Sequence, residues 1–284
     1  MKNYLLLLIS LFFISCGGGG SSSSTPSNVS IFNSNVLPVT SGSWYKPSIN
    51  TSWQWQLSGV VNTSYNVDIY NIDLFDSSSS LISSLQASGK KVICYFSAGT
   101  YENWRSDKDS FPSSVIGNAL IAYPNENWLD ISNESIAPIM KTRLDLAVQK
   151  GCDGVEPDNM DNFTQNTSFS LSANDQLAYN KFIANEARKR GLSVGLKNDL
   201  TQVNELEPYF DFAINEQCHE YNECNLLVDF TNANKPIFNA EYKIEYQNNV
   251  GNARDSMCTD AINNSLKTLV LSPLLNDSYR YSCN

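Results

Sequence analysis

Four carboxylates, Asp153, Glu156, Asp158 and Asp161, fall within nine residues of a chain in which only 17% of residues are charged. A buried carboxylate is costly unless it is paired or used, so the cluster needs a purpose. Gly151 follows a helix-like pattern, and the stretch from there starts like a buried strand. Period-two alternation sends Gly154, Glu156 and Asp158 to one face, and Asp153 and Val155 to the other. Asp158 then stands at the C-terminal end of the strand, with Glu156 one layer deeper. Asp153 faces the helix side, and Asp161 lies past the strand as a loop cap or rim contact. A calcium loop or a solvated turn is the alternative use for such a cluster.

Other strand-like runs end in residues of the same kind: Asp73, Ser97, Lys197, Asn198, Glu216, Glu241 and Tyr242. His219 is the only histidine, so a Ser-His-Asp relay or a His-rich metal centre has little support. There is no phosphate-binding glycine loop and no Cys-x-x-Cys pair, and neither metal nor cofactor is expected. Two carboxylates facing each other across a barrel mouth are the equipment of a glycosidase. Trp53, Trp55, Tyr95, Tyr101 and Trp104 are candidates to stack on sugar rings, core packing being the alternative for each. Asp73, Glu156, Asp199 and Glu241 are candidates to bind ammonium groups, or else to pair with Lys197 or the backbone. Lys197 among these acids suits a nucleophile such as Asp158, whose pKa it would lower.

The elements that must position these residues are eight strand-like runs, at 53–57, 67–75, 91–99, 151–159, 193–199, 210–217, 235–242 and 266–271. Several are apolar at the start and polar at the end. Helical spacing joins Leu81, Ile82 and Leu85, and it predicts helices over 136–150 and 174–190. The stretch 101–130 reads as a loop-rich excursion. Strands alternating with helices imply an α/β fold, a single-domain parallel (β/α)8 TIM barrel, whose chemistry sits at the strand C-termini. An open doubly wound sheet is the alternative, weakened by the missing glycine-rich turn after the first strand.

The front of the chain is a targeting segment. Lys2 precedes an apolar run, 4–14, too short to span a bilayer. Ile14-Ser15-Cys16-Gly17 resembles a bacterial lipoprotein cleavage box, with Phe13 a departure from it. This implies a signal peptide over 1–16, lipidation of Cys16, and an exported protein anchored to a membrane. An ordinary secretion signal is the alternative. Residues 17–43 are read as a flexible Gly/Ser-rich tether and 44–284 as the folded domain. Six cysteines remain. Cys218 with Cys224, and Cys258 with Cys283, are the expected disulfides; Cys94, inside an apolar run, reads as a buried thiol. A net charge of −10 makes nucleic acid an unlikely partner and suits a cationic substrate. The chain is expected to be a monomer.

Three blocks carry a family resemblance: Val92-Ile93-Cys94-Tyr95-Phe96-Ser97-Ala98-Gly99, Gly151-Cys152-Asp153-Gly154-Val155-Glu156-Pro157-Asp158-Asn159 and Asn215-Glu216-Gln217-Cys218. With Trp53-Gln54-Trp55-Gln56-Leu57 and Phe238-Asn239-Ala240-Glu241-Tyr242, they resemble glycoside hydrolase family 114, the endo-α-1,4-polygalactosaminidases, over roughly 44–284. The resemblance implies a (β/α)8 barrel that cuts α-1,4-linked, partly deacetylated galactosamine exopolysaccharide. It assigns the acidic pair to Asp158 and Glu216. Analogy with related barrels makes Asp158 the nucleophile and Glu216 the acid/base, with retention. Glu156 departs from the Asp common at its position. A non-catalytic polysaccharide-binding lipoprotein, or a glycosidase on a different α-linked polymer, are the competing readings.

Overall fold

The computed structural model describes residues 30–284; Cys16, the signal-like run and most of the tether lie outside them. In chain order the strands are β1 (Trp53–Gln56), β2 (Ile69–Asp73), β3 (Lys91–Ser97), β4 (Thr100–Glu102), β5 (Ile116–Ala119), β6 (Glu126–Leu129), β7 (Gly154–Asp158), β8 (Ser193–Lys197), β9 (Phe212–Glu216), β10 (Ile237–Glu241), β11 (Leu266–Leu271) and β12 (Arg280–Ser282). The main sheet runs β1-β2-β3-β7-β8-β9-β10-β11-β12. All neighbours in it are parallel except the last pair, where β12 is antiparallel to β11. Each of the eight strand-like runs in the sequence contains one parallel strand of this sheet.

The sheet curls until its first strand meets its last ones. Trp53 packs on Phe238 with ring centroids 5.0 Å apart, and its indole N–H donates to the Lys267 carbonyl at 2.8 Å. Arg280 of β12 donates to the Trp53 carbonyl and to the Gln54 side chain. Inside the curl, Trp55, Ile69, Ile93, Phe212, Ile214 and Leu269 belong to one apolar cluster. A larger cluster fills the space between the sheet and the helices. Burying side chains of this size contributes about 1.5–3 kcal/mol each. The inner cluster is the floor on which the mouth residues stand. Gly195 belongs to that floor because a Cβ there would meet the Phe212 ring at 2.3 Å.

Among the described residues four helices of nine residues or more cover the outer face: α1 (Ser79–Ala87), α2 (Ala137–Lys150), α3 (Ala173–Lys189) and α4 (Ala253–Asn263). Pro138 in the first turn of α2 and left-handed Gly151 just past its end set its limits. The Ser172–Asp175 capping box starts α3. On α2, Ile139, Met140, Leu144 and Ala147 are buried as the spacing predicts, but Val148 is exposed. Residues 30–43, read from composition as part of the tether, lie along α3 instead. Phe32 packs edge-on against Tyr179 and Phe182. Lys181, Asn185 and Arg188, spaced to share one helix face, donate to the carbonyls of Ser34, Leu37 and Val39. A polar, irregular segment is held because α3 answers its backbone groups.

The excursion after β3 is itself a small sheet, ordered β4-β6-β5 and antiparallel. Its strands are three or four residues long and too short to show alternation. Cys94 is not a free thiol but is bonded to Cys152. The register that sets Ile93 beside Gly154 brings the two cysteines together on the helix side. The pairs Cys218–Cys224 and Cys258–Cys283 form as expected. Because Cys94 and Cys152 are 58 residues apart, loop closure alone gives the bond about 4 kcal/mol of stabilisation at most. Replacing both with Ala is expected to lower the unfolding free energy by ~2–4 kcal/mol. Urea unfolding without reductant measures this, and an unchanged midpoint would contradict it.

Candidate active site

At the C-terminal ends of the strands one ammonium group gathers the acids. Lys197 Nζ at the end of β8 lies 2.8 Å from Asp158 Oδ1 on β7 and 2.8 Å from Glu216 Oε2 on β9. Glu156 Oε1 is beneath them at 3.9 Å. The Lys197 ammonium also sits over the Trp55 ring, 5.3 Å from its centroid. Tyr95 donates to Asp158 Oδ2 at 2.9 Å, and the Asn159 backbone N–H donates to Oδ1 at 2.7 Å. Tyr242 donates to Glu216 Oε1. Glu156 Oε2 accepts from the Trp55 indole at 3.0 Å and from Asn71 at 2.5 Å.

Strand termination fixes these positions. Asn159, Asn198 and Gln217, each directly after a strand that carries a charged site residue, have φ of 58°, 50° and 62°. That left-handed region is uncommon for non-glycine residues. The turn stops each ladder immediately after Asp158, Lys197 or Glu216. The pairing of β7 with β8 ends at Val155–Val194, before Pro157, which has no N–H to offer. The ladder therefore opens where Lys197 reaches up between Asp158 and Glu216.

Burial and charge act against each other at these groups. Burial raises the pKa of Asp158, but Lys197, the Asn159 N–H and the Tyr95 hydroxyl outweigh it and hold the carboxyl below its ordinary value. Burial lowers that of Lys197, and Asp158, Glu216 and Glu156 together drive it well above its usual range. Glu156 goes the other way: burial pushes it up to about 8, beyond what Lys197 and Asn71 offset. Tyr95 and Tyr242 are pushed up by burial and by the acids they touch, so both remain donors. Around the fixed cation the two acids of β7 are thus shifted in opposite directions, Asp158 down and Glu156 up.

Residues 34–284 match the model of glycoside-hydrolase family GH114. The chain belongs to family GH114. It is 38% identical to Aspergillus fumigatus Ega3, solved in complex with galactosamine, with a TM-score of 0.80 over 86% of this chain and 99% of that one. The glycoside hydrolase domain of PelA from Pseudomonas aeruginosa shares the fold, with 14% identity and a TM-score of 0.64 over 81% of this chain and 98% of that one. No curated protein matches the chain. Family and relative together make this protein a glycoside hydrolase.

The GH114 site uses only part of the expected set. Asp158, Glu216, Glu156, Tyr95, Lys197, Tyr242 and Trp55 come together. Asn198 does so indirectly: its side-chain oxygen accepts from the Glu216 N–H at 3.2 Å and so steadies that residue. Asp73 is occupied, because Arg105 makes two bonds to its carboxylate, at 3.1 and 2.6 Å. Glu241 is fully buried and accepts from the His219 N–H and from Asn239. Alternation on β10 sends it to the face opposite that of Tyr242. Asp199 is bound by Asn180, and Trp53 is core. Asp153 pairs with Lys91 on the helix side. Sequence reading missed Asn159, whose own N–H serves Asp158 and whose amide donates to Ser97; a residue type favoured in left-handed turns, right after a strand-end acid, was the available signal.

A cleft of about 330 Å³ opens beside the pair, lined by Asp161, Asn198, Glu216, Gln217 and Tyr221. A larger cavity of about 850 Å³, lined by Asn222, Val228 and Asn264 among others, lies on the flank and contains neither Asp158 nor Glu216. Of these two, only the smaller is lined by a member of the acidic pair, Glu216. Among the described residues Cys218, His219 and Cys224 are grouped closely enough for a metal, but their two sulfurs are bonded to each other.

Two outcomes follow for the GH114 centre. Lys197→Met removes the largest influence opposing the burial of Asp158, so its pKa rises. The acid limb of kcat/KM against pH should move upward by about one unit or more, with at least a hundredfold loss of rate near neutrality. An unmoved limb would refute this role. Glu156 holds a proton in the fold that the unfolded chain releases near its ordinary value of 4.5. Its contribution is full below that value and is lost as pH rises through about 8. Glu156→Gln should therefore gain stability relative to the parent between pH 5 and 8. Parallel stability profiles for the two proteins would contradict it.

Proposed function

We propose that this GH114 protein is an endo-acting, retaining hydrolase of α-1,4-linked galactosamine polymer, built on a (β/α)8 barrel. The observation that carries this reading is the double contact of Lys197 Nζ, 2.8 Å from Asp158 and 2.8 Å from Glu216. The two bonded oxygens can be no further apart than twice that distance. This fits the ~5–5.5 Å of retaining enzymes better than the ~6.5–9.5 Å that leaves room for an inverting water. Asp158, the more buried of the two and held ionised from three sides, acts as nucleophile on the anomeric carbon. Glu216, the more exposed, protonates the departing glycosidic oxygen and then takes a proton from the water that releases the glycosyl-enzyme. Glu156 and Trp55 brace the ammonium from below.

The substrate class rests on the family, on Ega3 having been solved with galactosamine, and on a net charge of −10 that favours a polyamine sugar. Three disulfides fit an oxidising compartment. With the lipobox-like Cys16, we place the protein outside the cytoplasm, tethered to a membrane and acting as a monomer.

Incubation with purified, partly deacetylated galactosaminogalactan, read by product masses, tests the activity. Short oligosaccharides with the α configuration at first release are expected. Asp158→Asn and Glu216→Gln should each lower the rate by about a thousandfold or more while melting like the parent. Normal turnover by either variant defeats the assignment. Binding with no new reducing ends from the parent would favour the non-catalytic reading.

A further inference from the structure

Several acids near the mouth are matched by a base. Asp73 has Arg105; Asp158 and Glu216 have Lys197; Glu102, buried on β4, has Arg105 at 2.8 Å and Arg143 at 3.8 Å. Glu126, at the start of β6, stands directly opposite Glu102 in the ladder. Like charges in that position repel. Among the described residues no salt bridge reaches Glu126; its carboxylate accepts one hydrogen bond, from Thr100 Oγ1 at 3.0 Å. It is half-buried, and burial and the nearby Glu102 push it up to about 7, with Asp158 adding to the rise and Arg105 opposing it.

Its placement ties it to the reaction centre. Asp158 is bonded by the Asn159 N–H, Asn159 donates to Ser97 Oγ at 3.0 Å, and Ser97 shares a hydrogen bond with Thr100, the residue bonded to Glu126. Glu126 closes the turn Tyr123-Pro124-Asn125-Glu126 through its N–H to the Tyr123 carbonyl at 2.9 Å. The turn also carries Tyr123, an exposed ring whose hydroxyl is raised by burial and by Glu216, Glu126 and Asp158. One short turn thus holds a carboxylate without a cation, near Asp158, and an aromatic ring near both Asp158 and Glu216.

We propose that Glu126 binds the ammonium group of a galactosaminyl unit at the cleavage site, with Tyr123 beside that sugar, and so selects deacetylated substrate. This deepens the function proposed above and rests on it. Two of the expected acceptors are committed elsewhere, Asp73 to Arg105 and Glu241 to the helix side of β10, while Asp199 lines the neighbouring cleft and is bonded to Asn180. Glu126 offers a carboxylate with no cation, linked by hydrogen bonds to the turn that holds Asp158, and an ammonium arriving with the sugar supplies the charge it lacks.

The test is Glu126→Gln assayed against the parent on fully deacetylated α-1,4-galactosamine oligomers across pH 5.5–8, with free galactosamine and N-acetylgalactosamine as inhibitors. Expected are a KM raised about tenfold or more, a kcat changed less than about threefold, and a loss of the preference for galactosamine as inhibitor. Melting temperature confirms the fold, and Glu126→Asp should recover part of the affinity. An unchanged KM overturns the inference. So does a loss confined to kcat with a shifted acid limb, which would make Glu126 a positioning residue for Asp158. Failure of the parent itself to cleave these oligomers is a separate result that would sink the proposed function.

Discussion

A buried ammonium shared by carboxylates is the interaction on which the mouth of this protein depends. Lys197 is almost wholly out of water, and an isolated charge there would be very costly. It is tolerable because two acids touch it at bonding distance, a third lies below and an indole face closes one side. The dependence is mutual. Asp158 is largely shielded from water as well, and without the cation its carboxyl would bind a proton more readily. One contact therefore solves the burial problem for a base and an acid together, and it fixes the spacing between the two acids.

The sheet supplies what that contact needs. Three neighbouring strands end within one residue of the groups they deliver, and each then turns through a left-handed residue. Below them the packed interior of the curled sheet leaves no slack, since Gly195 admits no side chain against Phe212. On the outer face the Cys94–Cys152 bond ties β3 to the entry of β7, the two strands that carry Tyr95 and Asp158. The position of the acidic pair is thus fixed from beneath, from behind and from the strand ends.

Much of this was legible in the sequence, for identifiable reasons. The parallel strands leave strand-like runs, several of them apolar at the start and polar at the end, and all eight were visible as such. The separation of Asp158 from Asp153 needed only the period of two, and Lys197 stood out as a lone base among acids. What was hidden involves partners distant in sequence. Asp73 is taken by Arg105, and no local pattern shows it. Glu241 looked like a mouth residue because its strand ends in acid, but β10 presents Tyr242 to the mouth and Glu241 to the helices. Cys94 looked like a core thiol because its partner lies 58 residues on. The strands of 100–129 were too short and too polar to announce themselves. Residues 30–43 looked like tether because their order comes from α3.

The three left-handed corners have a further meaning for how this fold can change. Each carries strain of order 1 kcal/mol that a straight strand would avoid. Had any of these strands run on by one residue, alternation would have turned the next side chain outward, and the loop would have begun at a different height. Because each turn comes directly after the residue its strand delivers, the loop beyond it starts from a corner that is set by the strand and not by the loop's own length or sequence. Insertions and deletions past Asn159, Asn198 and Gln217 can therefore accumulate without moving the charged residues behind them. The strain separates a part of the chain that must not drift from a part that is free to.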